Sequence, residues 1–224
     1  MAKTILTPLQ QKALDWVANQ PLLTKQFYLS GGTALAEFYL HHRVSEDLDF
    51  FSVDEFDPSM IGPIAEQLKQ HVGAKTLQLE QRFNRNIIYL DLGAEMLKVE
   101  FSWFIGTPID ESNHYHALRI DSARDIAVNK LFTIYQRPRS RDYIDLYLLM
   151  TERGYGLQEL IDLARNKFDW HVDPLQLAGR FLEIDLADWP MLIHPIDEMM
   201  VRKFFNNLAR ELEPAVLSEG PEDE

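Results

Sequence analysis

The chain has 224 residues, with 46% hydrophobic and 25% charged residues, as expected for a folded protein of one large domain or two modest ones. It contains no cysteine, which excludes disulfides and thiolate metal sites. No apolar run reaches the roughly 18–20 residues of a membrane span, and the N-terminus lacks the residue order of a signal peptide. We therefore expect a cytoplasmic protein with no membrane partner.

The net charge of −13 argues against a surface that binds nucleic acid broadly, because such proteins usually carry a basic face. Part of the acid lies in the tail 211–224, which is typical of a solvated chain end. The one compact basic stretch is "RPRSR" at 137–141. A polyanion is therefore expected to bind locally, at that stretch.

The first half of the chain, about 1–120, mixes helical and strand patterns. Leu9, Ala13 and Val17 form one stripe of a helix that Pro21 is expected to end. Helices are predicted at 8–20, 33–42 and 58–72, and strands at 26–30, 46–53, 75–81, 86–93 and 95–104. Short gaps between the last three strands favour an antiparallel meander.

The second half, about 121–224, has only helical patterns. Helices are predicted at 121–137, 140–154, 156–168, 173–184 and 195–213, several of them beginning at Ser, Asp or Pro. We therefore predict two domains, an α+β domain at 1–120 and a C-terminal helical domain at 121–224.

Two adjacent glycines, Gly31 and Gly32, separate a predicted strand from a predicted helix. Glycines at such a junction let the backbone approach a ligand closely, and the helix N-terminus that follows favours an anion. Ser30 and Thr33 could add hydroxyl donors, so the segment is a candidate phosphate site. A simple tight turn is the alternative.

Asp47 and Asp49 lie two residues apart in a predicted strand, so both carboxylates leave one face while Leu48 and Phe50 point to the core. Paired carboxylates suit Mg²⁺, which prefers oxygen ligands. Glu100, on a later strand, could supply a third carboxylate. Taken singly, an Asp-x-Asp triplet is common and Glu100 could be a solvated residue on a half-exposed strand.

The combination resembles a known family. The stretch "GGTALAEFYLHHRVSEDLDFF" at 31–51 is similar to the first motif of nucleotidyltransferases with the polymerase β-like fold, and more closely to the AbiEii/AbiGii abortive-infection toxins, whose Arg-x-Ser-x-Asp-Leu-Asp-Phe strand matches 43–50. The stretch "DIAVNKLFTIYQRPRSRDYIDLYLL" at 125–149 is similar to the later family motif of an Asp-x-x-x-x-Lys helix, a basic turn and Arg-Asp-x-x-Asp-Leu-Tyr.

The resemblance implies an α+β nucleotidyltransferase with a mixed sheet flanked by helices, and a helical domain that completes the active-site cleft. It implies that Mg²⁺ or Mn²⁺ supports transfer of a nucleoside monophosphate from an NTP to an acceptor hydroxyl. The residues it implies for nucleotide binding are Ser30, Gly31, Gly32, Thr33, Arg43 and Lys130; those for metal binding are Asp47, Asp49 and Glu100; and Asp142 is a further active-site acid.

Two of these assignments have alternatives. Arg43 could pair with Glu46 instead of phosphate, and Asp142 could lie on a surface helix where Arg141 caps a charge cluster. Asp145 could instead hold the helix pair together. The nucleotidyltransferase superfamily more often has Asp where Glu100 stands.

The resemblance also implies a role as the toxin of a toxin–antitoxin pair, with a transfer RNA 3′ end or another RNA as acceptor and an antitoxin protein as partner. A protein or small-molecule acceptor stays open. The alternative function is a nucleotide-binding or partner-binding module that keeps the fold and transfers nothing. An acidic nucleic-acid mimic would leave Asp47 and Asp49 unexplained.

Overall fold

The chain divides into two units, Met1–Ser122 and Ala123–Glu224, of which the computed structural model describes residues 4–104 and 106–213. Of the predicted solvated tail at 211–224, residues 214–224 lie outside the described residues. Within the described ranges, no helix is both long enough and apolar enough to cross a membrane.

In the described part of the first unit, seven strands form one mixed sheet. The strands are β1 (Tyr28–Ser30), β2 (Asp47–Ser52), β3 (Thr76–Arg82), β4 (Arg85–Asp91), β5 (Met96–Trp103), β6 (Asn113–Tyr115) and β7 (Leu118–Ile120). Their order across the sheet is β3-β4-β5-β2-β1-β7-β6. β2 is parallel to β5 and β1 to β7, while the other neighbours are antiparallel. The predicted mixed sheet and the β3–β4–β5 meander are therefore confirmed.

The helices of the first unit precede the strands or lie between them along the chain. They are α1 (Pro8–Ala18), α2 (Pro21–Gln26), α3 (Gly31–Leu35) and α4 (Ile61–Val72). A π-helix at Ala36–Leu40 continues α3, and a 3₁₀ turn at Pro58–Met60 precedes α4. Thr7 and Gln10 form a capping box that begins α1.

Three local predictions need correction. Pro21 does not end a helix but begins α2, because proline suits the first helical position; α1 ends at Ala18. The strand expected at 26–30 is therefore shorter, because α2 extends to Gln26 and β1 begins at Tyr28. The helix expected at 33–42 starts earlier, at Gly31, and stops where His41 adopts a left-handed φ of 52°. The β6–β7 hairpin was not predicted; His116, with φ 53°, makes its turn.

The core of the first unit fixes which face of β2 is polar. Leu48 and Phe50 are fully buried. The Phe101 ring on β5 stacks on Phe50 at 5.1 Å between centroids and meets Phe27 edge-on at 4.9 Å. Because successive strand residues alternate, Asp47 and Asp49 leave the opposite face.

The described part of the second unit is helical. Its helices are α5 (Ala123–Gln136), α6 (Ser140–Arg153), α7 (Leu157–Phe168), α8 (Pro174–Leu182) and α9 (Glu198–Glu211), in agreement with the five predicted segments. The rings of Tyr143 and Phe181 pack on Phe205, with centroids 5.0 and 5.3 Å away. Asp173 and Asp197 cap α8 and α9 through their side chains.

Candidate active site

The glycine pair lies directly beside the aspartate strand. β1 and β2 are antiparallel neighbours with Ser30 opposite Asp49, so Gly31 follows at the end of that pairing. Gly31 has a φ of 75°, and a Cβ at this position would lie 2.7 Å from the Asp49 Oδ2. Both the backbone conformation and the neighbouring carboxylate therefore favour glycine.

Gly32 leaves room for a buried guanidinium. A Cβ on Gly32 would overlap the Nη2 of Arg43 and lie 3.1 Å from the Ser45 Oγ. Arg43 is only 2% exposed and donates to the Val44 carbonyl at 3.1 Å. The structure thus places Arg43 against the glycine turn, and its contact with a nucleotide stays a prediction.

The two predicted hydroxyl donors are engaged within the protein. The Ser30 Oγ donates to the Asp121 Oδ2 at 2.6 Å, so the Ser30 side chain does not cap α3. The Thr33 Oγ1 donates to the backbone carbonyl of Asp47. Thr33 therefore ties the start of α3 to the start of β2, and phosphate binding by either hydroxyl stays a prediction.

The three acids predicted as metal ligands lie on two adjacent strands. In the parallel β2–β5 pair, Asp47 is opposite Lys98 and Asp49 is opposite Glu100. Residues in register on neighbouring strands project to the same side of a sheet. The structure therefore brings Asp47, Asp49 and Glu100 to one face, beside Gly31.

Two cations that sequence reasoning missed hold two of these acids. The Lys98 Nζ lies 2.7 Å from the Asp47 Oδ2. Arg85, the first residue of β4, donates from Nε and Nη2 to the two oxygens of Glu100, at 2.7 and 2.6 Å. The Ser102 Oγ donates to the same carboxylate at 2.6 Å.

The charge state of Glu100 follows from these contacts. Burial by itself raises the pKa of this carboxyl. The hydrogen bonds from Arg85 and Ser102, together with the positive charges of Arg85 and Lys98, outweigh burial, so the pKa lies below its ordinary value. Glu100 is therefore an ionised, buried carboxylate.

The donor set fits a divalent cation in its chemistry. Carboxylate oxygens on one face of two strands are ligands that Mg²⁺ accepts. Over residues 4–104 and 106–213, however, no three His, Asp or Glu side chains are gathered closely enough to hold a metal ion. A cation that takes Asp47 and Glu100 as ligands would compete with Lys98 and Arg85 for their carboxylate oxygens.

In the second unit, Lys130 bridges two aspartates. Its Nζ lies 2.7 Å from the Asp142 Oδ1 and 2.7 Å from the Asp145 Oδ2, which joins α5 to α6. Asp142 also accepts from the backbone N–H of Arg139 at 3.1 Å. The action of Lys130 and Asp142 on a nucleotide stays a prediction.

The basic stretch 137–141 has acidic neighbours. Arg139 lines a cavity of about 300 Å³ together with Glu183, Asp185 and Asp188. These carboxylates weaken the attraction of the stretch for a polyanion.

Comparison with solved structures identifies the class of fold. A Helicobacter pylori protein described as a candidate nucleotidyltransferase aligns with a TM-score of 0.59 and 21% identity over 96% of either chain. The H. pylori protein JHP933 aligns with a TM-score of 0.58 and 21% identity, covering 94% of this chain and 91% of that one. The fold is that of nucleotidyltransferase-like α+β proteins.

Sequence comparison then gives the family. The family model "Nucleotidyl transferase AbiEii toxin, Type IV TA system" matches residues 13–216. The uncharacterized protein aq_aa25 of Aquifex aeolicus (strain VF5) is 33% identical over 167 residues, which are 71% of this chain and 74% of that protein. The chain belongs to the AbiEii nucleotidyltransferase toxin family, and the predicted class of enzyme, a nucleotidyltransferase, is confirmed.

Proposed function

We propose that this chain transfers a nucleoside monophosphate from an NTP to an acceptor hydroxyl with the help of Mg²⁺ or Mn²⁺. The observation that carries this proposal is the register of three strands. Ser30 lies opposite Asp49, and Asp49 lies opposite Glu100, so a glycine turn and three acids share one place on the sheet. A phosphate site beside a carboxylate site is what metal-assisted phosphoryl chemistry requires.

Each part of this site has a defined task. The turn at Gly31 and Gly32 would offer phosphates the first backbone N–H groups of α3, beside the carboxylates. Asp47, Asp49 and Glu100 would hold the divalent cations. Bound there, such cations supply charge neutralisation for the pyrophosphate leaving group and activation of the acceptor hydroxyl.

The acceptor that we propose is an RNA, the 3′ end of a transfer RNA, and the biological role is that of a toxin with a cognate antitoxin partner. Membership of the AbiEii toxin family supports the toxin role. Because the chain has a net charge of −13, which repels phosphate, we expect RNA to contact only a limited part of its surface.

The test is transfer of label from each of the four α-labelled NTPs, with Mg²⁺ and total cellular RNA and protein as acceptors. The unaltered chain is compared with Asp49→Asn and with a control, Asp54→Asn. The control changes an exposed aspartate that follows β2. Label that enters RNA with the unaltered chain and Asp54→Asn, but not with Asp49→Asn, supports the proposal. Label in protein would make a polypeptide the acceptor. Absence of both transfer and Mg²⁺-dependent NTP binding would favour the binding module.

A further inference from the structure

The contact between Arg85 and Glu100 is a two-point ion pair at a predicted metal ligand. Both carboxylate oxygens accept from the guanidinium, at 2.7 and 2.6 Å, and one of them also accepts from Ser102. A planar guanidinium matches a carboxylate in this way, and such pairs are among the strongest hydrogen-bonded contacts in proteins. Three of the roughly four acceptor positions of this carboxylate are taken, so a divalent cation that takes Glu100 as a ligand competes with Arg85.

The two partners differ sharply in exposure, and this difference decides which of them can move. The Glu100 side chain is 6% exposed, whereas that of Arg85 is 54% exposed. A buried carboxylate cannot exchange its counter-charge for water without a large desolvation cost. Arg85 can exchange Glu100 for water, because its long side chain starts at the first residue of β4, just after the β3–β4 turn that contains the exposed Phe83. Glu100 thus needs a positively charged partner, but that partner need not be Arg85.

We propose that Arg85 is an exchangeable counter-ion that competes with the divalent cation for Glu100. Arg85 and the metal are alternative partners of one buried carboxylate, so Arg85 sets the cation concentration at which the site loads. Ser102 stays in place in both arrangements and keeps the carboxylate oriented. Arg85 is on this account a positioning residue, and the inference rests on the metal site of the proposed function.

A matched control lies opposite Arg85 in the same hairpin. Arg82 on β3 pairs in register with Arg85 on β4. Its guanidinium contacts Glu80 at 3.2 Å and is 78% exposed. Substitution of Arg82 removes the same charge from nearly the same place but leaves the Glu100 contact intact, which separates local competition from a general change of field.

The experiment is titration of the full chain with Mn²⁺, with free Mn²⁺ followed by its EPR signal and no nucleotide added. Arg85→Gln should bind Mn²⁺ at least about fivefold more tightly than Arg82→Gln, the lower end of ordinary coupling between two ligands. Arg85→Lys, which keeps the charge and loses the two-point contact, should lie between them and serves in place of Arg85→Gln if that variant does not fold.

A double-mutant cycle tests whether Arg85 acts through Glu100. In a Glu100→Gln background, Arg85→Gln should no longer change Mn²⁺ affinity beyond the effect of Arg82→Gln. Equal affinities for Arg85→Gln and Arg82→Gln in the unaltered background, or weaker binding by Arg85→Gln, would overturn the inference and make Arg85 a structural clamp between β4 and β5. Absence of Mn²⁺ binding by every variant, with nucleotide present as well, would instead overturn the metal site itself.

Discussion

Substitution of Gly31 by alanine, compared with a control glycine, tests the geometry of the site apart from the stability of the fold. A Cβ at Gly31 would lie 2.7 Å from the Asp49 Oδ2 and 3.4 Å from its Cγ. The carboxylate must therefore rotate away, which is feasible because Asp49 is only half-buried. The control is Gly73→Ala: Gly73 has a φ of 82°, and a Cβ there would meet nothing within 4 Å.

The expected magnitudes follow from this comparison. Left-handed backbone costs a residue with a Cβ about 1–2 kcal/mol, so both variants should lose about that much free energy of unfolding in urea. Only Gly31→Ala moves a predicted metal ligand. A displacement of about 1 Å at a reacting site can lower the rate about a hundredfold, and we expect a loss of this order in nucleotidyl transfer.

The assays are urea unfolding and transfer of α-labelled nucleotide per folded molecule. Gly73→Ala should transfer at the rate of the unaltered chain. If Gly31→Ala also transfers at that rate, Asp49 need not occupy its observed position, and the assignment of the glycine turn to the active site is refuted.

Three further results are expected. Lys130→Met leaves Asp142 and Asp145 buried without their cation, so urea unfolding should show a loss of about 3–5 kcal/mol, while Lys203→Met on the exposed side of α9 should change little. Because the pKa of Glu100 is lowered in the folded chain, the unfolded chain takes up this proton first as the pH falls. The free energy of unfolding should therefore decrease as the pH falls below the ordinary pKa of glutamate, and it should decrease less steeply in Glu100→Gln. A pH profile with the same slope for both chains would contradict this. Thr33→Val should cost about 1 kcal/mol through loss of the bond to the Asp47 carbonyl, and Thr33→Ser should retain it.

Local patterns in the sequence were sufficient for most elements. Alternation in "DLDFF" gave both the strand and its buried face, since Leu48 and Phe50 are fully buried. The boundaries failed where a residue has two uses: Pro21 can end one helix or begin the next, and only the observed fold shows that it begins α2. The short β6–β7 hairpin escaped because three-residue strands carry too little periodicity to detect.

The sequence by itself determined the residue types of the candidate site, the face of β2 that carries Asp47 and Asp49, and the family. The tertiary structure alone decided which side chains meet. Lys98 reaches Asp47 from 51 residues away, and Arg85 reaches Glu100 from 15 residues away. The physical reason is that periodicity fixes the direction of a side chain along its own strand, whereas its neighbours across the sheet depend on strand order and register, which the packing of the whole sheet sets.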